Sequence, residues 1–288
     1  MERRGFHTFI TKEQAEADKF ASQAWHFLYT TKARHAFGMP MAQNQFVNHI
    51  KGVQLLSTKV GLTHSMKNLV WHHDFDIGTI FPQSFDISDA DSAETQDFRE
   101  DFKFGQVVAF LKTALAASNA FLKKNMVKVI ICVAIAERRI FILSGRLLEQ
   151  VKRDPQFTPS ELDTVSDDIY DLLSKGNTAV DFTKTSWFRP LQRRFADTSE
   201  TDMKEKVREV LDQLRGLIGE NQFSLTDQRN QWIIKPGGKS RGRGIEIHSD
   251  LGDLLRRVRQ PGEFKGCWVV QKYIERPLIV LGKKFDVR

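Results

Sequence analysis

Residues 232–247 read Trp-Ile-Ile-Lys-Pro-Gly-Gly-Lys-Ser-Arg-Gly-Arg-Gly-Ile-Glu-Ile, residue types suited to holding an anion. A short apolar strand ends on Lys235. A loop with four glycines and the cations Lys239, Arg241 and Arg243 follows, and Ile245 and Ile247 resume the apolar pattern. That layout predicts a β-hairpin whose tip folds over phosphates. Glycine lets backbone N–H donors approach an anion closely, and Lys and Arg supply the opposing charge. The common phosphate loops fit poorly. Gly238-Lys-Ser240 could end a Walker loop, but Ile233 stands where its first glycine belongs; Gly242 and Gly244 could open a dinucleotide fingerprint, but Ile247 replaces its third glycine. A strand lysine under a glycine-rich lid, an exposed glycine-rich hairpin and a basic nucleic-acid loop all remain open on these residues alone.

The next forty residues narrow the choice. Cys267-Trp-Val-Val-Gln-Lys-Tyr-Ile-Glu275 is an apolar strand running into polar residues, and Pro277–Leu281 reads as a second strand. After a turn at Gly282, Lys284, Asp286 and Arg288 alternate with Phe285 and Val287. The two-residue period of a strand puts the three polar groups on one face. Such a face suits a triphosphate clamp; the plainer reading is a half-exposed strand carrying a salt-bridge ladder.

In these blocks the chain resembles the tubulin tyrosine ligase-like family, whose fold is of the ATP-grasp type. Trp232–Ile245 resembles the family's nucleotide hairpin, Gln271-Lys-Tyr-Ile274 its adenine hinge, and Lys284-Phe-Asp-Val-Arg288 its phosphate strand. The run Lys-Pro-Gly, a small residue, then Lys-Ser-Arg-Gly-Arg-Gly is similar to the glycine ligases that modify tubulin. Thr58-Lys-Val-Gly-Leu62, Phe81-Pro-Gln-Ser-Phe-Asp86 and Phe98-Arg-Glu-Asp-Phe102 look like that branch's N-terminal region.

The resemblance implies ATP and magnesium as cofactors. Lys235 would touch phosphate. Arg241 and Gly242 would lie in the lid, with Arg241 also able to meet the acceptor carboxylate. Gln271, Lys272, Tyr273 and Ile274 would hold adenine. Lys284, Phe285 and Asp286 would approach the phosphates and ribose, and Arg288 would stabilise the transferring γ-phosphate. The implied reaction joins glycine to a glutamate side chain of tubulin by way of an acyl phosphate, and needs no nucleophilic Ser or Cys. A glutamate-adding ligase on the same fold, and a nucleotide- and tubulin-binding pseudoenzyme, are the alternatives. Family members continue well past this point with acidic and amide metal ligands, and Asp286 is the one carboxylate of the phosphate strand. The 288 residues alone are therefore expected to be a truncated ligase, catalytically incomplete, with no metal ligands of their own.

Charge placement agrees with a polyphosphate or an acidic protein partner, such as the tubulin tails. Of 43 Lys and Arg and 36 Asp and Glu, residues 229–288 hold 14 and 6, so the net +7 arises in this module. Nucleic acid would also be attracted, but no aromatic residue lies between Lys235 and Ile247 to stack on bases, so no nucleic-acid partner is expected. Cys132 and Cys267 sit in apolar runs and are expected to be buried free thiols. The longest apolar run, near Val127–Ala136, is too short for a bilayer. A monomeric cytoplasmic protein of the cytoskeleton, in cilia or flagella, is expected, without a membrane partner.

These groups need a scaffold, and the sequence predicts an α+β fold. Residues 11–37 read as a helix with a basic second half, either microtubule-binding or simply solvated. Residues 53–87 read as short strands and turns, with His72 and His73 on opposite faces of a strand and so poorly placed to share a metal. Helices are expected over 95–124, 126–152, from Thr158 or Ser160 to about Leu173, 198–218 and 250–259, with a turn-rich stretch around Trp187–Pro190. The expected divisions are a helical extension (1–57), an N-terminal region (58–225), a nucleotide-binding lobe (226–281) and the start of a C-terminal lobe (282–288).

Overall fold

The computed structural model describes residues 26–29, 31, 41–145, 159–176, 181–185, 187–259 and 266–285, with side chains of 159–164 excepted. The chain divides into two compact units, 1–57 and 58–288. In the first, β1 (Phe27–Leu28) pairs in parallel with β2 (Phe46–Val47), and α1 spans Gln54–Ser57. The expected helix over 11–37 lies mostly outside the described residues. Where it is described it is not helical: Phe46 N–H donates to His26 O and Asn48 N–H to Leu28 O, bonds that hold 27–28 extended.

The second unit is built on two cores. One lies between helices: α4 (Ala93–Ala116), α5 (Asn119–Leu143), α6 (Pro159–Lys175), α7 (Phe188–Arg194) and α8 (Glu200–Ile218) bury residues such as Leu111, Ile131, Ile169, Leu191 and Val207. The other covers one face of an antiparallel sheet. Its strands are β3 (Ser84–Asp86), β4 (Trp232–Pro236), β5 (Glu246–His248) and β6 (Trp268–Lys272), in the order β3-β6-β4-β5. Trp232, Ile234, Trp268 and Val270 point into this core, against Phe98 and Phe102 of α4 and Leu251 and Leu254 of α10 (Leu251–Arg259). Thus α4 serves both cores, its first half facing the sheet and its second half the helices. The division expected at 225/226 does not separate two sheets, because β3 pairs with β6 from Ser84↔Gln271 to Asp86↔Val269.

Several elements differ from the sequence expectation for local reasons. The long helix expected to 124 stops at Ala116, because Ala117 is extended and the Ser118 side chain caps a new helix by accepting from Phe121 N–H. Asn125, at the expected boundary, is instead a kink inside α5 with φ −112°, its Nδ2 donating to Phe121 O. Trp187–Pro190 enters α7 rather than a turn: Pro190 falls in the first turn, where a missing N–H breaks no helical bond. Trp71-His-His73 belongs to α3 (Leu69–His73), not a strand, and the helix ends on Asp74 at φ 48°. Cys132 is buried as expected, whereas Cys267, at the edge before β6, is exposed. Among the described residues no helix is long and apolar enough to cross a membrane.

Candidate functional site

The hairpin expected from the sequence forms. β4 and β5 pair from Trp232↔His248 to Ile234↔Glu246. At the tip, Arg243 N–H reaches Ser240 O at 3.3 Å, and the residues between, Arg241 and Gly242, have φ of 58° and 75°. Two successive positive φ values mark a mirror-image hairpin turn, natural for glycine and a strain of about 1–2 kcal/mol for an L-residue such as Arg241. Gly237 is fixed by closeness instead. Its N–H donates to Cys267 O at 2.7 Å, and an added Cβ would stand 2.8 Å from the Cys267 Cβ.

Strand alternation sends Trp232 and Ile234 into the core and Ile233 and Lys235 to the opposite face. There a cleft of about 330 Å³ opens. Ile233, Lys235, Gln271, Lys272, Tyr273 and Ile274 line it from β4, β6 and the segment after β6. Pro82, Pro277, Leu278, Lys284 and Phe285 complete the wall. β7 (Ile279–Val280) and β8 (Lys283–Lys284) form the small hairpin that carries Lys284 to the cleft. The combination is an apolar slot with two ammonium groups at its edge.

Lys235 is half-buried and donates to Gln271 Oε1, which orients the Gln271 amide so that its Nε2 faces Pro82 O at 3.4 Å. Burial, and then the nearby positive charge of Lys59, push the Lys235 pKa below the usual lysine value. Lys59 belongs to α2 (Lys59–Lys67) and donates to Pro236 O at 3.0 Å and to Lys239 O, tying the helix to the base of the loop. A lysine held near a second lysine, with a neutral amide as its recorded side-chain partner, is an arrangement that an anion would complete. Lys59 was not legible as a site residue from charge or spacing alone; it lies in the block Thr58–Leu62, whose N-cap by Thr58 is the local signal.

Lys272 differs. Its side chain lies on the core face and donates to Glu275 at 2.9 Å and to Gln231 O at 2.9 Å, with both charged side chains 3% exposed. It presents main chain, not its ammonium, to the cleft. The lid residues Arg241 and Gly242 stand exposed on the loop and do not line the cleft. Asp286 and Arg288 lie outside the described residues. No three His, Cys, Asp or Glu side chains come together to hold a metal among the described residues. A larger cavity, about 530 Å³, lies beside Lys112, Arg215 and Phe223. Its most buried cation is already engaged: Lys112 donates to Phe223 O at 2.8 Å and to Thr226 O, and burial lowers its pKa to about 8.

Comparison with known proteins bears on this geometry. Residues 180–288 match the tubulin-tyrosine ligase family. The chain is 27% identical to tubulin glycylase 3C of Tetrahymena thermophila over a stretch covering 93% of this chain and 28% of that protein. It is 29% identical to tubulin monoglycylase TTLL3 of Mus musculus, covering 86% of this chain and 27% of the relative. With the Homo sapiens protein of the same name the identity is 31%, covering 80% and 30%. The chain thus spans less than a third of the length of these relatives. The stretch that matches the tubulin-tyrosine ligase family carries the hairpin, the central strands and most of the cleft wall.

Proposed function

We propose that the cleft binds ATP and that the chain is part of an ATP-dependent ligase that adds glycine to glutamate side chains of tubulin. The observation that carries the nucleotide reading is Lys235: a half-buried ammonium beside a second lysine, at the end of an apolar slot. A nucleotide has the complementary shape, a flat apolar base joined to an anionic tail. In this reading Ile233, Ile274 and Phe285 enclose the base, Lys235 and Lys284 meet the phosphates, and the glycine turns let the loop fold down so that Arg241 reaches the reacting end. Bound ATP would supply the phosphoryl group that activates the acceptor carboxylate. Positioning and cationic stabilisation are what such a transfer needs from a protein. No described residues are assigned to magnesium. The similarity to proteins named as tubulin glycylases supports glycine as donor and tubulin as acceptor; action at the cytoskeleton of cilia or flagella is part of the same proposal.

Calorimetry with ATP and magnesium tests the cleft. Binding to the wild-type chain is expected, with a loss of about 10- to 100-fold in Lys235→Ala, the range of one charge-assisted hydrogen bond; no heat of binding to the folded wild-type chain overturns the reading. Incubation with tubulin, ATP and labelled glycine or glutamate tests the donor, and incorporation of glutamate alone would count against glycine.

A further inference from the structure

We infer that Gln222, outside the cleft, is the positioning residue that makes its hinge selective for a base with a 6-amino group; the inference rests on the nucleotide reading above. The register of β3 on β6 pairs Ser84 with Gln271, and Lys272 N–H donates to Gln83 O at 2.8 Å. Continued antiparallel pairing would next join Gln83 N–H to Lys272 O, and then Ile274 N–H to Phe81 O. Neither bond forms, because Gln222 takes both partners. Its Oε1 accepts from Gln83 N–H at 3.0 Å, and its Nε2 donates to Phe81 O at 2.8 Å and to Gly78 O at 2.7 Å. Gln222 lies in α9 (Glu220–Leu225), and these three bonds peel residues 78–83 away from the end of β6.

The sheet is therefore stopped one rung early, beside the cleft. It leaves an acceptor, Lys272 O, and two residues on a donor, Ile274 N–H, along one edge. Lys272 and Ile274 both line the cleft. The 6-amino group and N1 of adenine present a donor and an acceptor in matching order. Guanine presents the reverse, an acceptor at position 6 and a donor at N1, and would face two unpaired groups.

The test measures the affinities of the full chain for ATP, GTP and purine riboside triphosphate, which keeps N1 but lacks the 6-amino group. Wild type is expected to favour ATP over the purine analogue by about 3- to 10-fold, the range of one net hydrogen bond, and over GTP by more. In Gln222→Leu, strand pairing runs on to Phe81, and the preference over the analogue should fall to within about twofold. Gln222→Glu still accepts from Gln83 N–H but loses the donors to Phe81 O and Gly78 O. It should weaken ATP and the analogue together and keep their ratio, which also covers the case of a Leu variant that does not fold. An unchanged ratio in a folded Leu variant, or a collapsed ratio in the Glu variant, overturns the inference. Absence of any nucleotide binding by wild type instead overturns the reading on which it rests.

Discussion

The two faces of the sheet each hold a lysine, and the two are held in opposite ways. On the core face Lys272 is enclosed by Trp232, Asn230 and Gln231, and Glu275 neutralises it. On the cleft face Lys235 has a neutral amide and a like charge beside it. Burial lowers the pKa of both. On the reading proposed above, burial alone does not mark a binding lysine; what marks it is a missing counter-charge that a ligand would bring. Removing the partner of a closed ion pair damages the fold, whereas removing an open lysine damages binding.

The largest effect should follow from Glu275→Ala, which leaves the Lys272 charge buried and also frees the Gln231 and Arg229 N–H groups that Glu275 accepts from. A loss of about 3–5 kcal/mol in urea unfolding is expected; a loss under 1 kcal/mol would erase the contrast between the faces. Next, Lys235→Ala should leave the unfolding midpoint of the free protein unchanged or raised while weakening ATP, since it removes a partly desolvated cation near Lys59. A third effect concerns pH. A lysine whose folded pKa lies below the unfolded 10.5 disfavours the folded state while charged, so stability of the free chain should rise as pH climbs from the lowered value towards 10.5. ATP affinity should fall over the same window as Lys235 loses its proton, and Lys235→Arg should abolish that fall. The smallest effect belongs to the loop. Arg241→Gly should stabilise the free protein by up to about 1 kcal/mol in urea unfolding by relieving the left-handed backbone.

Much of this was readable in the residues because it is local. The hairpin followed from Lys235, the glycines and the returning isoleucines, and β6 from its apolar run. The end of α4 and the start of α5 were misplaced because Ser118 capping competes with an unbroken apolar stripe, a contest decided within one turn. The sequence did not reveal Lys59, whose partners are 177 and 180 residues away, or Gln222, whose three bonds reach a loop some 140 residues earlier. Lys272 was placed at the adenine by resemblance, within Gln271–Ile274; that its side chain meets Glu275 on the core face was not legible, because a strand pattern places a side chain on a face without saying whether a carboxylate waits there.

The interleaving of β3 and α4 with the later strands has a consequence for how this molecule can be divided. The match to the tubulin-tyrosine ligase family begins at residue 180, yet Trp232 and Val270 are walled by Phe85, Phe98 and Phe102, all encoded earlier. Cut free at residue 180, that segment would present an open strand edge along β6 and a bare indole, the surfaces through which chains stick to one another. The unit that can be borrowed, swapped or inherited intact is accordingly longer than residues 180–288, and must reach back at least to the helix that begins at Ala93 and the strand before it.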